Sequence, residues 1–277
     1  MSMTNKPFLI CIDSDGCAID SMTVKHARCF GPCLVKQWNL QEHEGKILQA
    51  WNQTNLYTAT RGINRFHGLA VALRQIHQND RPIDGIEALE AWVNHSRELS
   101  EQALQSEIHQ NHSPCLQQAL AWSQQVNQAI RELPPNAIQA FPGVREALRE
   151  AAQVADIAIV SSANRAAITE EWSRFGLMSY VKYTMAQDSG KKSECIASLL
   201  DRGYAAHRTL MCGDALGDER AAKANSVWFF PIVAGQESKS WTEFMNHALG
   251  RLVSGRYADY EAEQVKIFHD NLGIRGE

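Results

Sequence analysis

The sequence predicts an α/β fold, in which a parallel sheet alternates with helices and is interrupted by a long all-helical insertion. Three observations support this prediction. The apolar run at residues 8–12 ends abruptly in acidic turn residues. A short apolar run bounded by turn residues is typical of a strand that is buried on both faces of a parallel sheet. From residue 141 onward, short apolar runs alternate with helical patterns. Between these parts, residues 21–140 show helical periodicity without strand signals.

The composition fits about two domains and argues against several kinds of partner. The chain has 277 residues, 44% of them hydrophobic, and a net charge of -4. We therefore expect no nucleic-acid partner, because the sequence has no excess of basic residues. We also expect no membrane partner, because no apolar run approaches the ~20 residues that a membrane span needs. The first strand begins by Phe8, so we expect no signal peptide. Scattered cysteines, 7 in all, indicate a reduced, cytoplasmic protein.

The insertion is predicted to be helical because apolar residues recur at i, i+3 and i+4, for example from Phe66 to Ile76. Gly31 and Pro32 should break or kink its first helix. A proline-containing linker at residues 133–136 closes it. We expect hinges near residues 20–21 and 136–140.

The second half of the chain is predicted to complete the sheet through right-handed crossovers. In order, the predicted elements are a helix from 143 to about 152, a strand at 156–160, a helix from 166 to about 175, a weaker strand at 180–185, a helix after Lys192, a strand at 208–212, a short helix and a strand at 227–230. Two further helices follow residue 235. The predicted domains are therefore an α/β core (1–20 and 141–235), a helical insertion (21–140) and a helical tail (236–277).

Polar side chains follow three of the predicted strands. They are Asp13 and Asp15 after the first strand, Ser161 after the second, and Asp214 with Asp218 after the fourth. Lys191 and Lys192 precede a helix between the last two groups. Because the carboxyl ends of parallel strands meet at one edge, where such sheets bind ligands, we expect these residues to converge.

These residue types together favour phosphate chemistry. Two carboxylates ~4 Å apart repel by ~4 kcal/mol at an effective dielectric of ~20, so clustered acids call for a cation. Oxygen ligands without histidine or cysteine indicate Mg²⁺. A lysine and a hydroxyl can bind a phosphate, and a carboxylate can attack phosphorus to form an aspartyl-phosphate. A second acid could protonate the leaving oxygen and later deprotonate water.

The same residues resemble the motifs of the haloacid dehalogenase superfamily. The segments similar to its four motifs are, in order, residues 13–21, residues 141–148 with 159–162, Lys192 with Ile196, and residues 213–218 in the form Gly-Asp-x-x-x-Asp. The resemblance covers residues 8–21 and 141–234. It implies a Rossmann-like core whose insertion after the first motif is a cap that closes over the site and sets specificity.

The resemblance implies roles for the first two motifs. Asp13 would be the nucleophile and a Mg²⁺ ligand. Asp15 would be the general acid/base and would ligate the metal through its backbone carbonyl. Ser161, or alternatively Ser162, would hydrogen-bond the phosphoryl oxygens. Cys17 departs from the Thr or Val usual in the family, and we interpret it as a small packing residue.

The resemblance also implies roles for the last two motifs. Lys192 would neutralise the nucleophile and the phosphate, and it is preferred over Lys191 for its spacing to Ile196. Asp214 would bind Mg²⁺ directly, and Asp218 would hold a metal-bound water or orient the lysine. Dehalogenases of the superfamily lack the second acid of the first motif, so its presence favours phosphoryl transfer.

Substrate contacts are predicted at two places. Arg61 and Arg65 lie in a glycine-interrupted segment of the insertion, where the alternative is a solvated loop with ordinary arginines. Asn164 and Arg165 follow Ser161, and a helix-start role for Asn164 fits equally well.

We therefore expect a Mg²⁺-dependent phosphatase acting on a small phosphorylated metabolite. A phosphomutase similar to β-phosphoglucomutase and a non-catalytic protein that binds a phosphometabolite are the alternatives. The identity of the substrate and the oligomeric state are left open.

Overall fold

A computed structural model describes residues 4–134 and 136–274, so Pro135 of the predicted linker lies outside the described residues. The chain divides into two compact units, one formed by Met1–Met22 with Ile138–Glu277 and the other by Thr23–Ala137. The C-terminal helices belong to the first unit, together with the sheet. The assignment of these units as a catalytic core and a cap stays a prediction, because compactness alone assigns neither role.

The first unit is an α/β unit built on a parallel sheet, which confirms the predicted Rossmann-like fold class. Across the described residues the sheet has 5 strands in the order β3-β2-β1-β4-β5. The strands are β1 (Phe8–Ile12), β2 (Ala155–Val160), β3 (Val181–Met185), β4 (Thr209–Gly213) and β5 (Trp228–Pro231). Central strand β1 pairs in parallel with both β2 and β4. The side chains of residues 9–12 are fully buried, as expected for a central strand with both faces covered by packed elements, which explains its uninterrupted apolar sequence.

The second unit is helical, as its periodicity predicts. Its helices are α1 (Met22–Lys25, beginning in the preceding unit), α2 (Gly31–Gln37), α3 (Glu44–Leu56), α4 (Arg65–Asn79), α5 (Ile86–His95), α6 (Glu101–Gln110) and α7 (Pro114–Arg131). Buried aromatic rings meet at its centre, where Trp122 packs edge-on against Trp51 and Phe66 at centroid distances of 6.0 and 6.3 Å. Such pairs add to the hydrophobic stabilisation of a core.

Of the predicted break or kink at Gly31 and Pro32, the break does not occur, and the kink stays a prediction. A π-helical segment, His26–Phe30, joins α1 to α2 without interruption. The Gly31 N–H donates to the carbonyl of His26, five residues earlier. The wider π turn immediately before Pro32 accommodates a residue that has no N–H and would clash in a regular α turn.

The remaining helices flank the sheet. They are α8 (Val144–Val154), α9 (Arg165–Arg174), α10 (Lys192–Leu200), α11 (Leu216–Ala224), α12 (Glu237–Glu243), α13 (Leu249–Ser254) and α14 (Ala258–Asn271). A second π-helical segment, Phe244–Ala248, joins α12 to α13. Over the parts of the chain that the structure describes, none of the helices combines the length and the apolar character needed to cross a bilayer.

A short stem closes the α/β unit at the point where the helical unit is inserted. Ile19 and Ala140 form an antiparallel bridge. The Asp20 N–H donates to the Gln139 carbonyl at 2.8 Å, and the Phe141 N–H donates to the Ala18 carbonyl at 3.0 Å. The outgoing and returning segments are therefore paired to each other. The predicted hinges near these residues stay a prediction.

Candidate active site

Three acidic side chains meet at the carboxyl edge of the sheet. Asp13 follows β1, Asp214 follows β4, and Asp218 lies in the first turn of α11. One carboxylate oxygen from each lies within 4.8 Å of the others, and all three residues are buried, with at most 6% exposure. We call these three residues the acid cluster. Their convergence follows from the adjacency of β1 and β4 in the sheet.

Backbone pairing fixes Asp13 within the acid cluster. Its N–H donates to the Cys212 carbonyl at 3.0 Å, which extends the pairing of β1 and β4 beyond the strand. Its carboxylate accepts the N–H of Ser14 at 2.7 Å, and the indole N–H of Trp172 donates to the Ser14 hydroxyl at 2.9 Å. Asp13 therefore has one well-defined orientation before any ligand arrives.

Asp15 sits on a tight turn formed by residues 14–19. The Ser14 carbonyl accepts N–H groups from Cys17, Ala18 and Ile19, and Gly16 adopts φ 77°. Such a φ suits glycine, which has no Cβ to clash. The turn leaves Asp15 half-buried beside the acid cluster, and the Ser21 hydroxyl donates to its carboxylate. Ser21 lies in the same motif, but no feature of the sequence predicts this hydrogen bond.

Asp218 is held against the end of β4. A Cβ added to Gly213 would lie 2.3 Å from both Cβ and Cγ of Asp218, so the backbone can approach this closely only at glycine. The Ala215 N–H donates to Asp218 Oδ2 at 3.1 Å. The glycine of the Gly-Asp dipeptide therefore makes room for the Asp218 side chain, and the aspartate of the dipeptide is Asp214 itself.

Lys192 bridges two members of the acid cluster. Its ammonium lies 2.7 Å from Asp13 Oδ2 and 2.6 Å from Asp218 Oδ1, and the side chain is 16% exposed. Lys191 is exposed, and its backbone N–H donates to Glu194 at 2.9 Å. Of the two candidate lysines, the structure brings only Lys192 to the acid cluster.

Burial dominates the electrostatics of the acid cluster. Desolvation raises the pKa of Asp13 to about 6 against the opposing effect of Lys192. Desolvation also raises the pKa of Asp218, again opposed by Lys192. Burial alone would lower the pKa of Lys192, but Asp13 and Asp218 outweigh it and the pKa is raised. The effect of the Lys192 ammonium therefore does not outweigh burial at either Asp13 or Asp218.

The donor set of the acid cluster fits a divalent cation. Asp13, Asp214 and Asp218 offer carboxylate oxygens within 4.8 Å of one another, and the group includes no histidine or cysteine. Hard oxygen ligands of this kind suit Mg²⁺, and a cation beside them would favour the charged forms that burial disfavours. The residues present are therefore compatible with the predicted metal.

Ser161 lies at the end of β2, the other neighbour of β1. It is 4% exposed, its N–H donates to the Met185 carbonyl at 3.0 Å, and its hydroxyl accepts the N–H of Ala163 at 3.2 Å. Ser162 is exposed. The side chain of Asn164 accepts the N–H of Ala166 at 2.9 Å, which makes it the N-cap of α9.

Comparison with known proteins identifies the family. Residues 86–232 match the sequence profile described as haloacid dehalogenase-like hydrolase. The chain belongs to this family. This result confirms the resemblance that the four motifs indicated. No curated protein matches the sequence.

Solved structures show that this haloacid dehalogenase-like hydrolase shares its fold with other proteins. A haloacid dehalogenase-like family hydrolase from Streptococcus pneumoniae is 12% identical, with a TM-score of 0.53 over 84% of this chain and 90% of that chain. A protein from Haemophilus somnus that is described as a predicted phosphoglycolate phosphatase is 16% identical, with a TM-score of 0.46 over 83% of this chain and 86% of that chain. At 12% identity, the structure from Streptococcus pneumoniae supports the shared fold alone.

The two arginines predicted to contact substrate lie in the helical unit of this haloacid dehalogenase-like hydrolase. Arg61 is 3% exposed, and its guanidinium donates to the Leu56 carbonyl at 2.8 Å. Arg65 begins α4 and donates to Asn127 at 2.7 Å and to Ser123 at 3.1 Å. Burial lowers the pKa of Arg65. The two arginine side chains are thus held by protein groups although Gly62 and Asn64 of the same segment are exposed, and the predicted substrate contacts stay a prediction.

Arg165 ties two loops of the hydrolase together. Its guanidinium makes two hydrogen bonds of 2.7 Å to the Asp188 carboxylate and another of 2.7 Å to the Thr184 carbonyl. Asp188 lies in the turn that leads to Lys192. Sequence reasoning placed Arg165 near the substrate and missed this partner, because nothing in the sequence pairs two residues on different strand-end loops.

Cys17 is a packing residue in this family member. It is fully buried, and its thiol donates to the Cys212 carbonyl at 3.6 Å. Burial, together with Asp214 and Asp13, raises the pKa of the thiol well above its usual value. A neutral, enclosed thiol agrees with the interpretation made from the sequence.

Proposed function

We propose that this haloacid dehalogenase-like hydrolase is a Mg²⁺-dependent phosphatase that acts on a small phosphorylated metabolite through an aspartyl-phosphate intermediate. The observation that supports the proposal is the Lys192 ammonium, which lies 2.7 Å from Asp13 and 2.6 Å from Asp218 in the buried acid cluster. A dianionic phosphate ester can approach a carboxylate nucleophile only where fixed positive charge offsets the repulsion.

The acid cluster is the proposed metal site. Asp13, Asp214 and Asp218 would hold Mg²⁺ through their carboxylates, and Asp15 would add its backbone carbonyl. When bound, the cation would neutralise charge on the nucleophile and on the phosphoryl oxygens. The remaining roles fall to side chains of this chain.

In the first proposed step, a carboxylate oxygen of Asp13 forms a bond to phosphorus as the bond to the ester oxygen breaks. Asp15 gives its proton to that oxygen, so that an alcohol leaves. Lys192 and the Ser161 hydroxyl donate hydrogen bonds to the phosphoryl oxygens. The products are the free alcohol and a phosphorylated Asp13.

In the second proposed step, water attacks the phosphorus of the aspartyl-phosphate. Asp15, now ionised, accepts the proton of the water, and the bond from phosphorus to Asp13 breaks. Inorganic phosphate leaves and Asp13 returns to its carboxylate form. Asp15 gives up one proton in the first step and takes another from water in the second, so it ends the cycle in its starting form; the turn at residues 14–19 places it beside the acid cluster.

The decisive experiment measures phosphate release from p-nitrophenyl phosphate and a panel of phosphorylated metabolites, with Mg²⁺ and with EDTA. We expect turnover with Mg²⁺, loss of turnover in EDTA and recovery when Mg²⁺ is added back. Full activity in EDTA would remove the metal from the mechanism. Isomerisation of a sugar phosphate without phosphate release would indicate a mutase, and binding without any turnover would indicate a non-catalytic protein.

A further inference from the structure

The C-terminal segment of the chain lies outside the part that matches the family profile. The match ends at residue 232, whereas α12, α13 and α14 occupy Glu237–Asn271. We call residues 236–274 the C-terminal extension. It packs within the α/β unit, and two of its side chains reach the segments that carry the acids.

The first of these contacts comes from Trp241 in α12. Trp241 is fully buried, and its indole N–H donates to the Cys17 carbonyl at 3.0 Å. Cys17 lies two residues after Asp15, in the turn closed on the Ser14 carbonyl. This hydrogen bond therefore ties the extension directly to the backbone that sets the position of the Asp15 carboxylate.

The second contact comes from His269 in α14. Its imidazole lies 2.8 Å from the carboxylate of Glu219, which is itself only 3% exposed. Glu219 follows Asp218 in the first turn of α11. The extension is thus also bonded to the helix that carries Asp218, one of the two members of the acid cluster that bind Lys192.

The extension is also anchored to β5 and to the loop that follows it. The Phe229 N–H of β5 donates to Glu261 at 2.6 Å, and the Phe229 ring packs edge-on against Phe268 at 5.6 Å. The hydroxyl of Ser240 accepts the N–H of Val233 at 3.0 Å. Helices that are fixed in this way can hold the loops that they contact in one position.

We propose that the C-terminal extension positions the acids of the site, with Trp241 holding the turn that carries Asp15 and His269 holding the helical turn that carries Asp218. Neither residue touches a reacting atom, so both are positioning residues, and their catalytic effect rests on the proposed phosphatase function. Misplacing an acid by about 1 Å can lower a rate by roughly 100-fold without weakening substrate binding.

The first test compares Trp241→Phe with Trp228→Phe. Both changes keep an aromatic ring and remove one indole hydrogen bond to a carbonyl. Trp228, however, donates to the His207 carbonyl at 3.0 Å, where β4 and β5 begin, at the opposite ends of the strands from the acids. We expect Trp241→Phe to lower kcat by roughly tenfold or more while KM changes by less than about twofold, because positioning affects the transition state. Trp228→Phe should leave both near their wild-type values.

Hydrogen exchange gives a readout that does not depend on turnover. Trp241→Phe should speed amide exchange in residues 14–19, and Trp228→Phe should not. Should Trp241→Phe match Trp228→Phe in kcat, or speed exchange only throughout the molecule, the positioning role of Trp241 is overturned while the phosphatase function stands. If the wild type releases phosphate from no ester, the phosphatase function fails, and exchange in residues 14–19 alone decides whether Trp241 holds the turn.

The second test compares His269→Ala with His247→Ala. His247 lies in the same extension, is 55% exposed and is 3.9 Å from Glu243, away from α11. We expect His269→Ala to lower kcat several-fold with KM nearly unchanged, and His247→Ala to behave as wild type. Equal kcat values for the two variants would overturn the role of α14.

Discussion

Lys192 is the side chain on which the charge balance of the acid cluster depends. It lies within 2.7 Å of Asp13 and Asp218, which are both buried. Without it, the buried carboxylates of Asp13 and Asp218 lose the ammonium that lies between them. The neighbouring Lys191 is exposed and offers a matched comparison.

We predict that Lys192→Ala lowers kcat by at least roughly 100-fold, since removal of one preorganised donor at a reacting group commonly has such an effect. Lys191→Ala should stay within about twofold of wild type. The measurement is phosphate release at saturating substrate for both variants. Comparable losses in the two variants would show that the structure points to the wrong lysine.

We predict that Asp13→Asn abolishes turnover, by a factor of at least about 1,000, or ~4 kcal/mol in activation free energy. An amide cannot form the acyl-phosphate. The fold should survive, because burial already raises the pKa of Asp13 to about 6 and a neutral side chain suits the site. Steady-state kinetics and thermal unfolding check both halves, with Asp201→Asn at an exposed position as the control.

The identity of the acids and the preference for Lys192 over Lys191 were predictable from the sequence, whereas the burial of Arg61 was not. Lys191 and Lys192 differ by one position, and the spacing to Ile196 in α10 favours Lys192. Arg61 was interpreted as either a substrate contact or a solvated loop residue, yet it is buried and bonded to Leu56. Burial of a loop arginine depends on packing that local sequence does not encode.

At the scale of elements, the junction of β4 and α11 depends on a single close approach. A Cβ on Gly213 would overlap the side chain of Asp218 at 2.3 Å. Gly217 lies in the same helix as Asp218 and has no atom within 4 Å of an added Cβ. The two glycines therefore allow the same substitution to be compared with and without a clash.

We predict that Gly213→Ala destabilises the protein by about 1–3 kcal/mol and lowers kcat by at least roughly tenfold, because α11 or Asp218 must move. Gly217→Ala should leave kcat unchanged and stabilise the fold by up to about 1 kcal/mol, since alanine favours a helix. Urea unfolding with parallel kinetics measures both effects. A stable and active Gly213→Ala variant would contradict the role assigned to the close approach.

The strands were the most predictable elements. Each predicted strand end lies within one residue of the observed end, because short apolar runs bounded by turn residues mark strands buried on both faces. The π-helical segment at His26–Phe30 was not predictable. Glycine followed by proline normally indicates a break, and the wider turn that avoids it has no signature in the sequence.

At the scale of the whole molecule, an ionic network ties the chain together at the start of β2. Asp156 accepts hydrogen bonds from the Lys6 N–H at 2.9 Å, the Lys182 ammonium at 2.7 Å and the Tyr204 hydroxyl at 2.5 Å. Burial by itself would raise the pKa of Asp156, but these hydrogen bonds outweigh it and the pKa is lowered. Stability gained from a lowered carboxyl pKa is lost in acid.

We predict that Asp156→Asn lowers the free energy of unfolding at pH 7 by about 1–3 kcal/mol, because it removes the charged acceptor of a buried network. The contribution of Asp156 is fully present above its unfolded pKa of ~3.9 and disappears as the pH falls through the lower, folded value. The two unfolding free energies should therefore converge below about pH 4. Urea unfolding from pH 3 to 7 checks this, and a constant difference would contradict it.

The stem formed by the Ile19–Ala140 bridge and its flanking hydrogen bonds has a consequence for how this architecture can change over evolutionary time. Because the chain leaves and re-enters the sheet side by side, the sheet imposes almost no requirement on the length of what is spliced between the two ends. The helical unit is in this sense an insertion that can be exchanged. Evolution could therefore lengthen, shorten or replace this insertion while the order of the strands stays the same.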